Sequence, residues 1–269
     1  SVTLTFHRRD RRMLCHYCNY ATRVPDACPN CRSEHVYFLG IGSERVEEEL
    51  HREFPTARVA RMDRDTVTGR RQYETILHGF RERDYDILVG TQMIAKGHDI
   101  PNVTLVGVVN ADVGLGMPDF RAAERTFQLL TQVAGRAGRG DVEGEVIVQA
   151  FTPFHPAIQY ARRHDYAGFY EQEIEFRQQL KYPPLSRIAL LVLRGRNEDK
   201  VKFFAEHMRR ELDKLPEIIK DLIIAGPAPA PLARAESNYR YQIMLRTRHM
   251  ARLSAELGKL TQALTLAEG

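Results

Sequence analysis

The stretch QVAGRAGR, residues 132–139, decides how the rest of the chain is interpreted. It follows a run of apolar residues at helical spacing: Phe127, Leu129, Leu130 and Val133. This spacing predicts a helix that begins near Asp119 and continues into the stretch. On such a helix Gln132, Arg136 and Arg139 fall at positions i, i+4 and i+7, so one face carries an amide and two guanidinium groups.

The chemistry of that face suits a polyanion. A planar guanidinium binds phosphate oxygens through two parallel hydrogen bonds. The small residues between the arginines let a ligand or another backbone come close. Taken alone, the octapeptide fits a solvated helix end rich in arginine and glycine equally well, so the neighbouring sequence has to decide.

Two apolar runs and a polar loop lie upstream, in ILVGTQMIAKGHDIPNVTLVGVVNAD, residues 87–112. The runs at 87–89 and 103–109 predict short buried strands. The loop between them carries polar residues and glycines: Gly90, Thr91, Gln92, Lys96, Gly97, His98 and Asp99. In parallel sheets ligands bind beyond the carboxyl ends of the strands, which is where this loop falls.

Strands and helices alternate from residue 36 to residue 149. Further strands are predicted at 36–39, 58–62 and 145–149. One helix follows Ser43 as its N-cap residue, and another spans 73–81. This alternation predicts an α/β fold with a doubly wound parallel sheet. Between two of these elements, MDRDT (62–66) fits either a local ion-pair turn or an interface with another lobe.

Four cysteines near the start form two C-x2-C knuckles nine residues apart: Cys15, Cys18, Cys28 and Cys31. Such knuckle pairs hold tetrahedral zinc, because each presents two thiolates to one ion. Disulfides are a poor alternative in an apparently cytosolic protein. His16 is expected to point outward, since four thiolates already complete the coordination shell.

The pattern changes after residue 152. One or two helices are predicted within 155–180, strands at 187–194, 221–225 and 239–246, helices at 198–215 and 250–266, and a stiff turn at GPAPAP, 226–231. This order predicts an α+β unit of the split-βαβ kind. In the last strand, aromatic and polar residues alternate over 239–242, which fits either DNA binding or a sheet with one buried face.

Length and composition limit the number of domains and the class of protein. The chain has 269 residues, 43% of them apolar, and a formal net charge of +4. That length accommodates two compact units. There is no apolar run of membrane-spanning length and no signal-peptide pattern, so we expect a cytoplasmic protein without membrane association.

Several motifs together resemble the PriA family of replication-restart helicases (primosomal protein N′), in superfamily two. They are GIGSERVEEEL (40–50), MDRDT, GTQMIAKGHD (90–99), PDFRAAERTFQLLTQVAGRAGR (118–139), YPP (182–184) and GPAPAP. The resemblance covers essentially the whole chain. One departure is Ser43, where the family usually has threonine, which keeps the hydroxyl group.

The resemblance implies roles for individual residues. Arg136 and Arg139 would reach the γ-phosphate of ATP, bound with Mg²⁺ mainly by another lobe, and Gln132 would seat that contact. Gly97 and Asp99 would lie against the nucleotide. Thr91 and Gln92 would face the DNA backbone, and Lys96 could serve either site.

The resemblance also implies three domains: a partial zinc ribbon at 1–36, a RecA-like second motor lobe at 37–152 and a C-terminal domain at 153–269 that binds DNA forks or partners. Members of the family restart stalled forks on branched DNA with primosome and single-strand-binding proteins. Their four knuckles hold two interleaved zinc ions. The four cysteines of this chain would therefore regroup around one zinc or form two half-sites.

The sequence contains neither GxxxxGK[ST] nor an acidic box of the DExH type. We therefore expect this chain alone not to hydrolyse ATP, although the complete helicase does. The alternative is a non-enzymatic zinc-ribbon protein that binds nucleic acid.

Overall fold

The structure is a computed structural model. It describes residues 5–7, 12–15, 20–28, 31–34, 42–63, 66–67, 69–91, 94, 100, 103–138 and 143–266. By its internal contacts the chain divides into two compact units. We call residues 37–115 and 121–169 the parallel-sheet unit, and residues 1–36, 116–120 and 170–269 the antiparallel-sheet unit.

The parallel-sheet unit alternates strands and helices, as predicted. Its elements are α1 (Ser43–Glu53), β4 (Val59–Met62), α2 (Arg70–Arg81), β5 (Ile87–Gly90), β6 (Leu105–Val108), α3 (Asp112–Leu115), α4 (Ala122–Ala134), β7 (Glu145–Val148) and α5 (Pro156–Arg162), and α6 (Tyr166–Leu180) begins in it. Strand β4 pairs in parallel with β5, and β6 with β7. The predicted RecA-like α/β class is therefore confirmed. The strand predicted at 36–39 falls outside the described residues.

Apolar residues at helical spacing build the core of this unit. Leu77 of α2 packs with Met62 of β4 in one cluster. In a second cluster Phe127 of α4 packs with α5, and its ring stacks on Phe169 with the centroids 4.3 Å apart. Because this cluster buries α5 and the first turn of α6, residues 153–169 group with the parallel-sheet unit, whereas the sequence placed a boundary at 152.

The antiparallel-sheet unit contains two three-stranded sheets. A ribbon of β1 (Thr5–His7), β2 (Arg12–Leu14) and β3 (Ala21–Arg23) has the order β1-β2-β3. The second sheet, of β8 (Arg187–Gly195), β9 (Ile223–Ala235) and β10 (Asn238–Thr247), has the order β8-β10-β9. Helices α7 (Glu198–Leu212) and α8 (Met250–Leu266) pack on it through Leu212 and Leu253, both fully buried. A short 3-10 helix at Leu215–Glu217 joins the same core.

The GPAPAP segment is a strand, and the turn predicted there was wrong. Strand β9 runs through it without a break for 13 residues. The prolines are tolerated because β9 lies at the edge of its sheet, where a missing N–H costs least. Its register with β10 shifts between Tyr239 and Tyr241 and again between Gln242 and Met244. Among the described residues no helix combines the length and the apolar character needed to cross a membrane.

Candidate nucleotide and nucleic-acid site

Two polar residues lie side by side at the carboxyl edge of the β4–β5 pair. Met62 pairs with Gly90 at the end of the two parallel strands, so the residues that follow them, Asp63 and Thr91, leave the sheet at the same edge. Thr91 is exposed there, in the position where such sheets bind ligands. The other predicted residues of this loop, Gln92, Lys96, Gly97 and Asp99, fall outside the described residues.

Asp63 is the centre of a buried polar network. Its carboxylate is 6% exposed and accepts hydrogen bonds from the Ser43 hydroxyl and from the amide of Thr66, at 2.9 Å for the latter. The guanidinium of Arg61 lies 3.3 Å from it and 3.2 Å from Glu47 on α1. This ion pair joins Asp63 to Arg61, the residue before MDRDT; Arg64 and Asp65 lie outside the described residues, so both alternatives for that segment stay predictions.

The Ser43 prediction needs a correction. Helix α1 begins at Ser43 itself, Gly42 is the flanking residue, and no side chain caps the helix. The Ser43 hydroxyl is turned to Asp63 instead. As an N-cap the serine oxygen would accept from a backbone N–H; here the hydroxyl donates to a charged carboxylate, which is a stronger hydrogen bond than one between neutral groups, and only the fold brings the two residues together.

The arginine stretch also differs from the predicted helix. Helix α4 begins at Ala122, not near Asp119, and ends at Ala134. The N–H of Gly135 donates to Thr131 O at 3.2 Å and that of Arg136 to Val133 O at 3.0 Å. Gln132 therefore lies in the last helical turn, exposed, while Arg136 is half-buried in the turn that follows. The prediction that Gln132 and Arg136 share one helical face is therefore wrong. Arg139 lies outside the described residues.

A long-range hydrogen bond holds the turn that carries Arg136. Gly138 has a φ of 73°, in the left-handed region that glycine adopts without strain. Its N–H donates to the carbonyl of Val103 at 3.1 Å, two residues before β6 begins. We call residues 135–138 the arginine turn. It is tied to the entrance of a strand rather than left as a solvated helix end.

Asp112 is a structural residue that the sequence analysis did not single out. Its carboxylate accepts the amide hydrogens of Phe151, at 2.7 Å, and Thr152, at 3.0 Å, and also the Thr152 hydroxyl hydrogen. Partial burial raises the pKa of Asp112, but these hydrogen bonds outweigh it and hold the pKa below its ordinary value. A carboxylate three residues after the predicted strand at 103–109 was the available signal.

In the described part of the cysteine ribbon, the first cysteine of each knuckle makes a backbone hydrogen bond to a residue five positions later. The N–H of Cys15 donates to Tyr20 O, and that of Cys28 to Ser33 O, both at 2.8 Å. Cys15 is buried and Cys31 exposed, and Cys18 lies outside the described residues. Within the described residues no three His, Cys, Asp or Glu side chains are grouped to hold a metal ion. The thiols of these knuckles fit the donor chemistry of zinc.

In strand β10 the residues at 239–242 do not divide into one buried and one exposed face, because Tyr241 and Gln242, which point to opposite faces of the sheet, are both buried. Tyr241 is 8% exposed and packs in a core cluster, and its hydroxyl lies 3.5 Å from the Glu198 carboxylate. Gln242 is buried as well. Tyr239 is partly exposed and lies under the guanidinium of Arg234, 5.1 Å from the ring centroid.

Arg240 lies on a basic part of the same sheet. It pairs directly with Arg194 of β8. No carboxylate of the described residues forms an ion pair with either of the two. Side chains directly opposite each other on neighbouring strands lie about 5 Å apart at Cβ. Like charges directly opposite each other on neighbouring strands repel.

Three family profiles match the sequence. The one described as the helicase conserved C-terminal domain matches residues 31–141. The PriA DNA helicase Cys-rich region domain matches residues 1–23, and the primosomal protein N C-terminal domain matches residues 178–268. The Cys-rich and C-terminal profiles fall in the antiparallel-sheet unit, and the helicase profile falls mostly in the parallel-sheet unit.

Curated relatives agree with the profiles. The chain is 46% identical to the replication restart protein PriA of Bacillus subtilis over 266 residues, which is 97% of this chain and 32% of that protein. It is 42% identical to the protein of the same name from Synechocystis, over 97% of this chain and 32% of the relative. It is 36% identical to the protein of the same name from Borreliella burgdorferi, over 99% of this chain and 40% of the relative. The chain thus spans about a third of the length of these relatives.

Proposed function

The chain belongs to the PriA family of replication restart proteins, and we propose that it supplies the second motor lobe, a zinc ribbon and a DNA-binding C-terminal unit to an ATP-dependent DNA helicase. The observation that carries the proposal is the arginine turn. Arg136 lies in a turn that is hydrogen-bonded to the sheet through Gly138 and Val103. A side chain that must reach a phosphate reproducibly needs a backbone fixed in this way. The non-enzymatic alternative is disfavoured by the helicase profile.

At the nucleotide, Arg136 and Arg139 contact the γ-phosphate of ATP held with Mg²⁺ by another lobe. Their positive charge offsets the charge that develops on the transferred group, a contribution worth about 10³ to 10⁵ in rate. Gln132 seats this contact from the end of α4. Gly97 and Asp99 lie against the nucleotide, with Asp99 on the ribose hydroxyls.

At the DNA, Thr91 and Gln92 contact the phosphate backbone and Lys96 adds a positive charge. The exposed position of Thr91 at the carboxyl edge of β5 supports this assignment. Contacts to the backbone carry no base information, so a motor that uses them can step along any sequence. The substrates are single-stranded and forked DNA.

The C-terminal unit contacts DNA through Arg194 and Arg240. These arginines face each other across β8 and β10, and a phosphate backbone is the polyanion that would neutralise both. On the same strand Leu190 and Val192 are 48% and 41% exposed, so the surface combines charge with apolar area. Primosome and single-strand-binding proteins are the proposed protein partners.

Zinc is the proposed metal of the ribbon, with Cys15, Cys18, Cys28 and Cys31 as its thiolate ligands. When bound, it would hold the knuckle turns of a segment with little apolar core of its own. Zinc per chain by native mass spectrometry, repeated for Cys28→Ser, tests this. One zinc ion per chain would indicate a single regrouped site, two would indicate two half-sites, and none would indicate that the chain has no zinc site.

The ATPase proposal has a direct test in the full-length helicase. We expect Arg136→Ala to lower DNA-stimulated ATP hydrolysis by about 10³-fold, while Arg81→Ala, an exposed arginine at the end of α2, keeps the parental rate. An Arg136→Ala enzyme with the rate of its parent would refute the proposal. The chain of 269 residues on its own, which has no GxxxxGK[ST], should show no ATP hydrolysis above buffer.

A further inference from the structure

Gly144 touches the arginine turn with its backbone. It stands directly before β7, which begins at Glu145. A Cβ atom at this position would overlap the amide nitrogen of Gly138 and the carbonyl carbon of Ala137, and would lie 2.6 Å from the Ala137 Cβ. Two of these three neighbours are backbone atoms of the arginine turn, so no change of side-chain rotamer relieves the overlap.

The same turn is held from a second side. Gly138 donates its N–H to Val103 O at 3.1 Å, and the N–H of Glu145 donates to Thr104 O at 2.8 Å. The entrances of β6 and β7 are thus bonded to each other, and both contact the arginine turn. The position of Arg136 is therefore set by two neighbouring strands and not by α4 alone.

We propose that Gly144 is a positioning residue for Arg136, an inference that rests on the proposed function. Non-bonded carbon atoms approach to about 3.5 to 4.0 Å, so a Cβ at residue 144 would displace the turn by about 1 Å. A displacement of about 1 Å in a catalytic constellation can lower the rate about 10²-fold. Gly144 lies outside the QVAGRAGR stretch, and among the described residues it contacts the arginine turn at Ala137 and Gly138.

Gly107 provides a matched control. It lies in β6, the strand paired with β7, and a Cβ there would meet nothing within 4 Å. The substitution Gly107→Ala is therefore the same chemical change in the same sheet without the contact to the arginine turn. Arg136→Ala reports separately whether the guanidinium takes part in the reaction at all.

The experiment uses the full-length helicase with single-stranded DNA. The measurements are kcat and KM for ATP, the affinities for ADP and for ADP with aluminium fluoride, which imitates the transferring phosphate, and the melting temperature. We expect Gly144→Ala to lower kcat about 10²-fold and to weaken the aluminium fluoride complex while the affinity for ADP stays at the parental value. Gly107→Ala should match the parent in all of these.

The outcomes separate the two proposals. If Gly144→Ala matches Gly107→Ala, or if it loses ADP affinity and melting temperature in step with the aluminium fluoride complex, the positioning role is wrong. If Arg136→Ala keeps the parental rate, the proposed function fails whatever the glycine does. If Gly144→Ala does not fold, the double variant Gly144→Ala with Ala137→Gly, which removes one of the three overlapping atoms, is measured in its place. Selective loss of the aluminium fluoride complex supports the proposal, and parental affinity overturns it.

Discussion

The hydroxyl of Ser43 donates a hydrogen bond to the carboxylate of Asp63, which joins the first residue of α1 to the carboxyl end of β4. These two residues are 20 positions apart. This hydrogen bond holds the start of α1 against the end of β4, which is the predicted ligand-binding edge of the sheet.

The substitution Asp63→Ala should destabilise the parallel-sheet unit by about 3 kcal/mol, because it leaves the Ser43 hydroxyl and the Thr66 amide without their acceptor and removes one of the two carboxylates beside the Arg61 guanidinium. Ser43→Thr keeps the hydroxyl and should change stability by less than about 0.5 kcal/mol. Urea unfolding measures both, with Glu48→Ala on the exposed side of α1 as the control. Equal unfolding midpoints for Asp63→Ala and Glu48→Ala would contradict this account.

A stack of side chains around Tyr182 should stabilise the antiparallel-sheet unit. Tyr182 is 3% exposed, its ring is stacked on Phe120 with the centroids 5.1 Å apart, and the guanidinium of Arg246 lies 4.7 Å from its centroid. We expect Tyr182→Ala to cost about 3 to 5 kcal/mol and Tyr182→Phe, which keeps the ring, to cost much less. Hydrogen exchange of β10 amides, measured for both variants, checks this; equal protection in the two would show that the ring stack is unimportant.

The Arg58–Asp86 pair should give the parallel-sheet unit an acid-sensitive contact. The Arg58 guanidinium donates to both carboxylate oxygens of Asp86, at 2.8 and 3.0 Å. These hydrogen bonds, with a further one from the Arg58 backbone amide, lower the pKa of Asp86 from 3.8 to about 2. A carboxylate whose pKa is depressed by folding stabilises the folded state above its unfolded pKa, and that stability is lost as the pH falls toward the folded pKa.

The pH window for this effect therefore runs from about 4 down to about 2. In Arg58→Gln the pKa of Asp86, followed by carboxyl chemical shift in NMR titration, should return toward 3.8. The melting temperature of the parent should fall more steeply across that window than that of the variant. Parallel melting curves in the two proteins would count against the pair.

The basic surface of the C-terminal unit should appear in the salt dependence of DNA binding. Replacing Arg194 and Arg240 together with glutamine removes two phosphate contacts, so the slope of log K against log salt should become shallower by about 1 to 2. Fluorescence anisotropy with forked and single-stranded DNA measures it. The control is Lys202→Gln, an exposed charge on α7. A double variant with the slope of its parent would place the DNA elsewhere.

Elements with a strong local pattern were predicted accurately. Helix α8 spans residues 250–266 as expected, and β5, β6 and β7 were found within a residue or two of their predicted ends. Apolar periodicity is a property of the chain itself, so it can be interpreted without neighbours. The GPAPAP segment failed for the opposite reason. Proline and glycine predict a turn locally, and only the position of β9 at a sheet edge makes them compatible with a strand.

The candidate site divides in the same way. The glycines and arginines of residues 132–139 fitted a phosphate-binding element and a solvated helix end equally well, and the neighbouring motifs favoured the first. The cysteine spacing predicted the zinc ribbon that the Cys-rich region profile supports. Asp112 was missed, since a lone carboxylate after a strand has many possible uses. Its role depends on the amides of Phe151 and Thr152, about forty residues away in the chain.

The sequence by itself determined which side chains are available, because guanidinium, thiol and carboxylate chemistry belong to the residue and its spacing. The tertiary structure decided where α4 ends and what holds Arg136. The contact of Gly138 with Val103 joins segments 35 residues apart, and that of Gly144 with the arginine turn lies beside the entrance of β7, where β7 is paired with β6. A glycine has no side chain to reveal its partner, so its function is defined by the backbone that packs against it.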